Sequence, residues 1–184
     1  MLVRALESVR NQTRAPDDVI VQHDHDGLGA AECRNRALKL VDTDFVAFLD
    51  DDDELLPQHL QVLEDWQKDT DADLVYPWYE GINQNLWPWK PLGRPFDDEL
   101  RDYICNVGNF IPITCLVRVS LLRAVGGFQS FTWSDPENPC EDWATWVAML
   151  HGGAKFSHCP QITWTWHGHG GHTSGRPWTK RRDV

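Results

Sequence analysis

The sequence predicts an α/β domain built on a mostly parallel sheet flanked by helices. Three observations predict it. Apolar, β-branched runs alternate with helix-patterned runs over the first 80 residues. Two of the apolar runs end in polar clusters, QHDHD after Val21 and DDDD after Leu49, and carboxyl ends of parallel strands gather on one ligand-binding rim. A length of 184 residues, 41% of them hydrophobic, supports one sizeable core and leaves too little chain for two.

Taken in order, Leu2, Leu6 and Val9 recur at helical spacing, and Pro16 lies beyond that helix. Val19–Val21 reads as a short β-branched strand. Residues 30–41 read as a helix, and Phe45–Leu49 as a second buried strand that delivers the aspartates. Pro57 suits a first helical turn, continued by Leu60, Leu63 and Trp66. DLVYPWY is a third strand, and Pro77 within it predicts an edge position or a bend. The run from Trp78 to Pro95, with Trp87, Pro88, Trp89 and Pro91, reads as a long ordered loop, a kind of segment that is often functional. VSLLRAVGGF is a short helix stopped at Gly126–Gly127. EDWATWVAMLHGG is another helix, with acids in its first turn. KFSHCPQITWTWH is a late strand.

Composition narrows the function. A formal net charge of −11 argues against a nucleic-acid backbone as the main partner. The five cysteines, at 33, 105, 115, 140 and 159, form no C-x-x-C pair. Reduced thiols and a cytoplasmic location are the simpler reading. The first residues lack the apolar core of a secretory leader, and no apolar run reaches the ~18–20 residues that span a membrane.

Four constellations carry chemistry. Asp50–Asp53 stand at a strand end, where oxygen ligands suit Mg²⁺ or Mn²⁺; the plainer alternative is a solvated turn that caps the helix near Pro57. His23–Asp26 can hydrogen-bond a base or ribose, or simply form a polar turn. Glu141 and Asp142 open a helix, where acids are stabilising anyway, but one of them can also serve as a general base. His167, His169 and His172 lie in a glycine-rich stretch followed by Arg176, Lys180, Arg181 and Arg182. That stretch suits a metal or a diphosphate, or is a basic tail.

The runs RALESVRNQTRAPDDVIVQHD, GAAECRNRAL, TDFVAFLDDDDELLP, GGF, CEDWATWVAML and HTSG resemble, in order and spacing, the family-two glycosyltransferases. The resemblance covers nearly the whole chain and implies the GT-A fold, a Rossmann-like nucleotide-binding domain with a D-x-D motif. It implies one domain, residues 1–80 holding nucleotide and metal and 81–184 holding acceptor and catalytic groups. By the same resemblance Asp24 contacts the nucleotide base, and Arg34 and Asn35 line the nucleotide site. Asp50 and Asp52 form the D-x-D pair around Asp51, with Mn²⁺ or Mg²⁺ as cofactor. Asp142 is the base beside Glu141. His167 or its neighbour His169 reaches the metal or diphosphate, with Arg176 nearby. The implied reaction is inverting sugar transfer from a nucleoside-diphosphate sugar to an acceptor hydroxyl. The alternatives are a catalytically impaired nucleotide-sugar binder of the same fold and a metal-dependent phosphate hydrolase.

Two positions depart from the family pattern. Met1 falls where the first helix begins, so the family's opening strand is missing and an N-terminally truncated sheet is expected, with an exposed edge that invites self-association. His23 stands where the family often has an acid.

Overall fold

The computed structural model describes residues 1–83, 95–129 and 141–168. Six helices and five strands occur among them: α1 Leu2–Arg10, α2 Ala30–Leu38, β1 Phe45–Ala47, β2 Glu54–Leu55, α3 His59–Thr70, β3 Leu74–Asn83, α4 Asp98–Asn106, β4 Leu116–Arg118, α5 Val119–Ala124, α6 Glu141–His151 and β5 Phe156–Gly168. One sheet joins the strands in the order β1-β4-β3-β5-β2.

The α/β architecture is the expected one, but the sheet is mixed rather than mostly parallel. β1 with β4, β3 with β4, and β2 with β5 are antiparallel, and only β3 with β5 is parallel. The cause is β4, which enters between β1 and β3 and runs against both. Its three residues lie inside the longer apolar run CLVRVSLL, where no sequence period separates a strand from a helix. Pro77 is not on an edge, because β3 is the central strand. The bend was the correct alternative: the β3–β5 register slips directly after Pro77 and again after Trp78, with Pro160 in the matching irregularity of β5. Trp78 belongs to this strand and not to a loop. Trp87, Pro88, Trp89 and Pro91 lie outside the described residues.

Alternation along each strand places the core. Leu74, Tyr76, Val117 and Cys115 point into a large cluster with Trp146, Leu122 and Phe128 on the α2, α5 and α6 side. Val75, Leu116 and Cys159 point the other way and meet Leu63, with Phe45, Ala47 and Trp66 packed around them, under α3. Both faces of the sheet are therefore covered, which is why its central strands read as continuous apolar runs.

The helices end for identifiable reasons. Asp97 caps α4, its carboxylate accepting the Leu100 N–H at 2.8 Å. After α5 the chain turns through Gly126 and Gly127 at φ of 89° and 74°. A Cβ on Gly127 would stand 2.4 Å from Asn35 Oδ1, so the GGF turn needs glycine for contact as well as for conformation.

The expected strand at Val19–Val21 joins no ladder. Across from it, β1 ends the sheet, with its second edge unpaired among the described residues. Between the two runs lies a cavity of about 1680 Å³, walled by side chains such as Leu6 and Val9 of α1, Ile20, Ala37 of α2, and Val46. Ligand clefts usually occupy about 300–1,000 Å³. This cavity is larger than that range, and among the described residues no strand pairs with the outer edge of β1.

Candidate active site

The acidic rim forms where β1 runs out. Asp53 N–H donates back to the Asp50 carbonyl at 3.2 Å, closing a turn over Asp51 and Asp52. Glu54 and Leu55 then pair with Thr165 and Trp164, and this short ladder brings the end of β5 to the aspartates. His167 donates its backbone N–H to Asp53 Oδ1 at 3.0 Å, while its ring Nε2 lies 3.3 Å from the Glu54 carboxylate.

Carboxylate oxygens of Asp50, Asp52 and Asp53 all lie within 4.8 Å of one another. Burial raises the Asp53 pKa to about 7; the His167 N–H opposes this, and the neighbouring Asp52 and Asp50 charges add to it. Three oxygen donors with this much mutual repulsion fit a hard divalent cation, and Mg²⁺ or Mn²⁺ matches the donor set. Asp53 was not singled out from the sequence; the signal was present in the run of four, but only the fold shows that it turns inward. His167 lies beside the cluster through its backbone, and its ring is turned to Glu54. Burial, then the Arg4 charge, lowers the pKa of that ring. Arg4 also reaches the rim, donating to the Asp52 carbonyl.

A second acidic pair faces the same cavity from α6. Arg34, its side chain only 11% exposed, joins the two: Nη2 pairs with Asp50 at 2.7 Å and Nη1 with Glu141 at 2.5 Å. Desolvation opposes its charge, and the two carboxylates outweigh that and raise its pKa. Arg34 thus ties the rim to Glu141, a residue 107 positions away from it in sequence.

Asp142 accepts the Trp143 N–H on Oδ1 at 2.7 Å and the Asn109 amide on Oδ2 at 3.0 Å. Burial, then the Glu141 charge, raises its pKa to about 6; the Trp143 N–H and Arg34 pull the other way. A carboxylate poised near neutrality beside a cleft is a general-base candidate on physical grounds. Trp143 fixes the helix start by donating its indole N–H to the Ile104 carbonyl at 2.6 Å.

The remaining expected residues separate. Asp24 lines the cavity, with its carboxylate accepting the Leu28 and Gly29 N–H groups, each at 2.8 Å, and this folds the turn before α2. Those two bonds lower its pKa. Asn35 uses both ends of its amide on the Phe128 backbone, at 2.6 and 2.8 Å, so it clamps the GGF turn. Asp51 is exposed at the rim. His169 and Arg176 lie outside the described residues.

This rim, with its D-x-D carboxylates, meets a matching profile: that of glycosyl transferase family 2 covers residues 12–126, more than half of the sequence. The chain belongs to that family. No curated protein matches it. Among solved structures it is similar to S. aureus TarS 1-349 in complex with UDP-GlcNAc, with TM-score 0.70 and 18% identity over 95% of this chain and 57% of that one. It is also similar to the UDP complex of the same protein, with TM-score 0.66 and 18% identity over 90% of this chain and 56% of that one. The chain thus spans little more than half the length of those structures. At this identity the likeness shows the fold, which is GT-A.

Proposed function

We propose that the chain transfers a sugar from a nucleoside-diphosphate sugar to an acceptor hydroxyl, with inversion at the sugar carbon. The observation that carries this reading is the convergence of the D-x-D cluster and the Glu141–Asp142 pair on one cavity through Arg34. Family membership and the nucleotide-bound TarS structures support it, and a uridine diphosphate sugar is the donor class to try first.

In this reading the donor half is residues 1–80, and the acceptor and catalytic half is 81–184. Asp50, Asp52 and Asp53 would hold Mg²⁺ or Mn²⁺. A cation bound there supplies positive charge to a departing diphosphate. The residues of the chain do the rest. Asp142 takes the proton from the acceptor hydroxyl and becomes a carboxylic acid. The freed oxygen bonds to sugar C1 on the face opposite the leaving group. The C1–oxygen bond breaks, and its electron pair leaves with the diphosphate. Glu141 pairs with Arg34 and keeps α6 against the rim. The aromatic wall of Tyr79 and Trp164, stacked at 4.6 Å between centroids, borders the same cavity and offers an apolar face to a sugar ring.

Two lesser readings belong here. Cys33, Cys105, Cys115 and Cys159 are all free thiols, which supports a reducing, cytoplasmic setting. The edge of β1 that is unpaired among the described residues invites pairing with a second copy, which sedimentation across a concentration series would detect.

The test of transfer is product formation from UDP-GlcNAc with a panel of hydroxyl acceptors and Mn²⁺. Acceptor-dependent release of UDP supports a transferase. Release that is indifferent to acceptor favours the hydrolase, and binding without release favours the impaired binder. Asp142→Asn keeps the shape but cannot accept the proton; it is expected to lose about 10²–10⁴-fold in rate while retaining nucleotide binding. Glu141→Gln is expected to lose less. An Asp142→Asn enzyme as fast as wild type contradicts the assignment of the base.

A further inference from the structure

We propose that Asn109 is the positioning residue for the Asp142 base, its amide locked against Ile111 and holding the carboxylate by a hydrogen bond across the cavity wall. The inference rests on the proposed role of Asp142. Asn109 lies in the loop between α4 and β4, and both it and Asp142 line the cavity.

Its orientation is fixed chemically. Asn109 Oδ1 accepts the Ile111 N–H at 2.9 Å. Nδ2 donates to the Ile111 carbonyl at 3.0 Å and to Asp142 Oδ2 at 3.0 Å. Exchanging the oxygen and nitrogen would set N–H against N–H and oxygen against two acceptors, so only one orientation satisfies the loop. The loop is itself held. Trp146 donates its indole N–H to the Ile111 carbonyl at 3.3 Å, and the Ile111 side chain is buried. A donor on so firm a base fixes where Asp142 Oδ2 points.

It also favours the charged carboxylate. The groups that bear on Asp142 are Glu141 on its own helix, Arg34 on α2, Asp50 at the rim and Cys115 before β4. Burial, Glu141 and Asp50 all push it toward the neutral acid. With the Trp143 N–H and Arg34, the Asn109 amide opposes them, and a base must be ionised before it can take a proton. Serving through Asp142, Asn109 needs no contact with substrate.

The experiment compares wild type, Asn109→Ala, Asn109→Asp and Asp142→Asn. Asn109→Asp keeps an acceptor for the Ile111 N–H but replaces the donor with a second carboxylate, whose charge itself raises the Asp142 midpoint. A shift in the alanine variant therefore supports the inference, and an unmoved midpoint in a folded aspartate variant excludes it. UDP release from UDP-GlcNAc with Mn²⁺ is followed from pH 5 to 8.5. The Asp142 carboxyl carbon is titrated by NMR, which needs no substrate. Both Asn109 variants should raise the Asp142 titration midpoint by about one unit and shift the acid limb of the rate profile with it. The rate at pH 6 should then fall about fivefold, with the loss narrowing by pH 8 and KM for UDP-GlcNAc unchanged. An unmoved Asp142 midpoint and acid limb in folded Asn109→Asp overturns the inference. If Asp142→Asn itself runs at the wild-type rate, the base reading falls first and the role of Asn109 falls with it. If only Asp142→Asn is slow, the base stands and Asn109 is excluded.

Discussion

Single residues at the rim hold charges that cost stability unless they are matched. Arg34 is the clearest case, because one buried guanidinium neutralises Asp50 and Glu141 together. Arg34→Met leaves those acids without their counter-charge. Removing one partner of a fully buried pair costs about 3–5 kcal/mol; with Asp50 44% exposed, a loss of about 2–3 kcal/mol is expected. Added Mn²⁺ should restore more stability to this variant than to wild type, a comparison made by melting curves in EDTA and in Mn²⁺. His59 gives a prediction of a different kind. Its ring is fully buried, with Nδ1 2.8 Å from Thr163 Oγ1, and burial lowers its pKa to about 3. The folded pKa lies below the unfolded value of 6.5, so the folded state binds fewer protons between them. That contribution to stability is complete above pH 6.5 and is lost as pH falls toward 3. Asp53 and Asp142 act in the opposite sense: their folded pKa values of about 7 and 6 lie above 3.8, so their contribution weakens as pH rises through that interval. The two effects separate in a variant. His59→Asn should be less stable than wild type at pH 7.5, and the gap should shrink between pH 6.5 and 5 in urea melts. A gap that stays constant with pH would show that His59 is not the group responsible.

At the scale of elements, what the sequence showed and what it hid divide on how far apart the partners lie. The α6 pattern, the β1 run and the glycine stop after α5 are local signals, and each element formed where they point. The apolar pattern of β1 also carried the aspartates to a strand end, so the most important part of the site was readable. The three-residue β4 and two-residue β2 have no period of their own and exist only through pairing with β1, β3 and β5. Asn109 was equally silent, since its role depends on a carboxylate 33 residues away. The α4 helix is a miss of another sort. Asp97, the acids Asp98 and Glu99, and Leu100 and Ile104 at i,i+4 spacing form a legible start signal, obscured by the Trp- and Pro-rich run before it. Asp97→Ala removes that cap and should cost about 1 kcal/mol in chemical denaturation. Because Trp143 of α6 donates to the Ile104 carbonyl of α4, loosening that helix should also reduce activity before it unfolds the chain.

Among the described residues the molecule is a two-faced sheet with a rim at one end and a gap beside the outer edge of β1. The gap is lined by the ladderless run at 19–21, by β1, whose outer edge is unpaired among the described residues, and by α1 and α2. Arg4 reaches the carbonyl of Asp52, which puts the start of α1 beside the rim. Joining an apolar strand of five or six residues ahead of α1, to pair with the outer edge of β1, is expected to raise the melting temperature. An unchanged temperature counts against a strand-shaped gap. The gap and the rim share one cavity, so filling the first should also tighten nucleotide binding at the second. Calorimetric titration of UDP into wild type and Asp52→Ala, with and without Mn²⁺, decides whether the aspartate rim binds a nucleoside diphosphate together with a divalent cation. Mn²⁺-dependent binding is expected in wild type and none in a folded Asp52→Ala variant; equal Mn²⁺-dependent affinity in both proteins would show that the rim is not the nucleotide site.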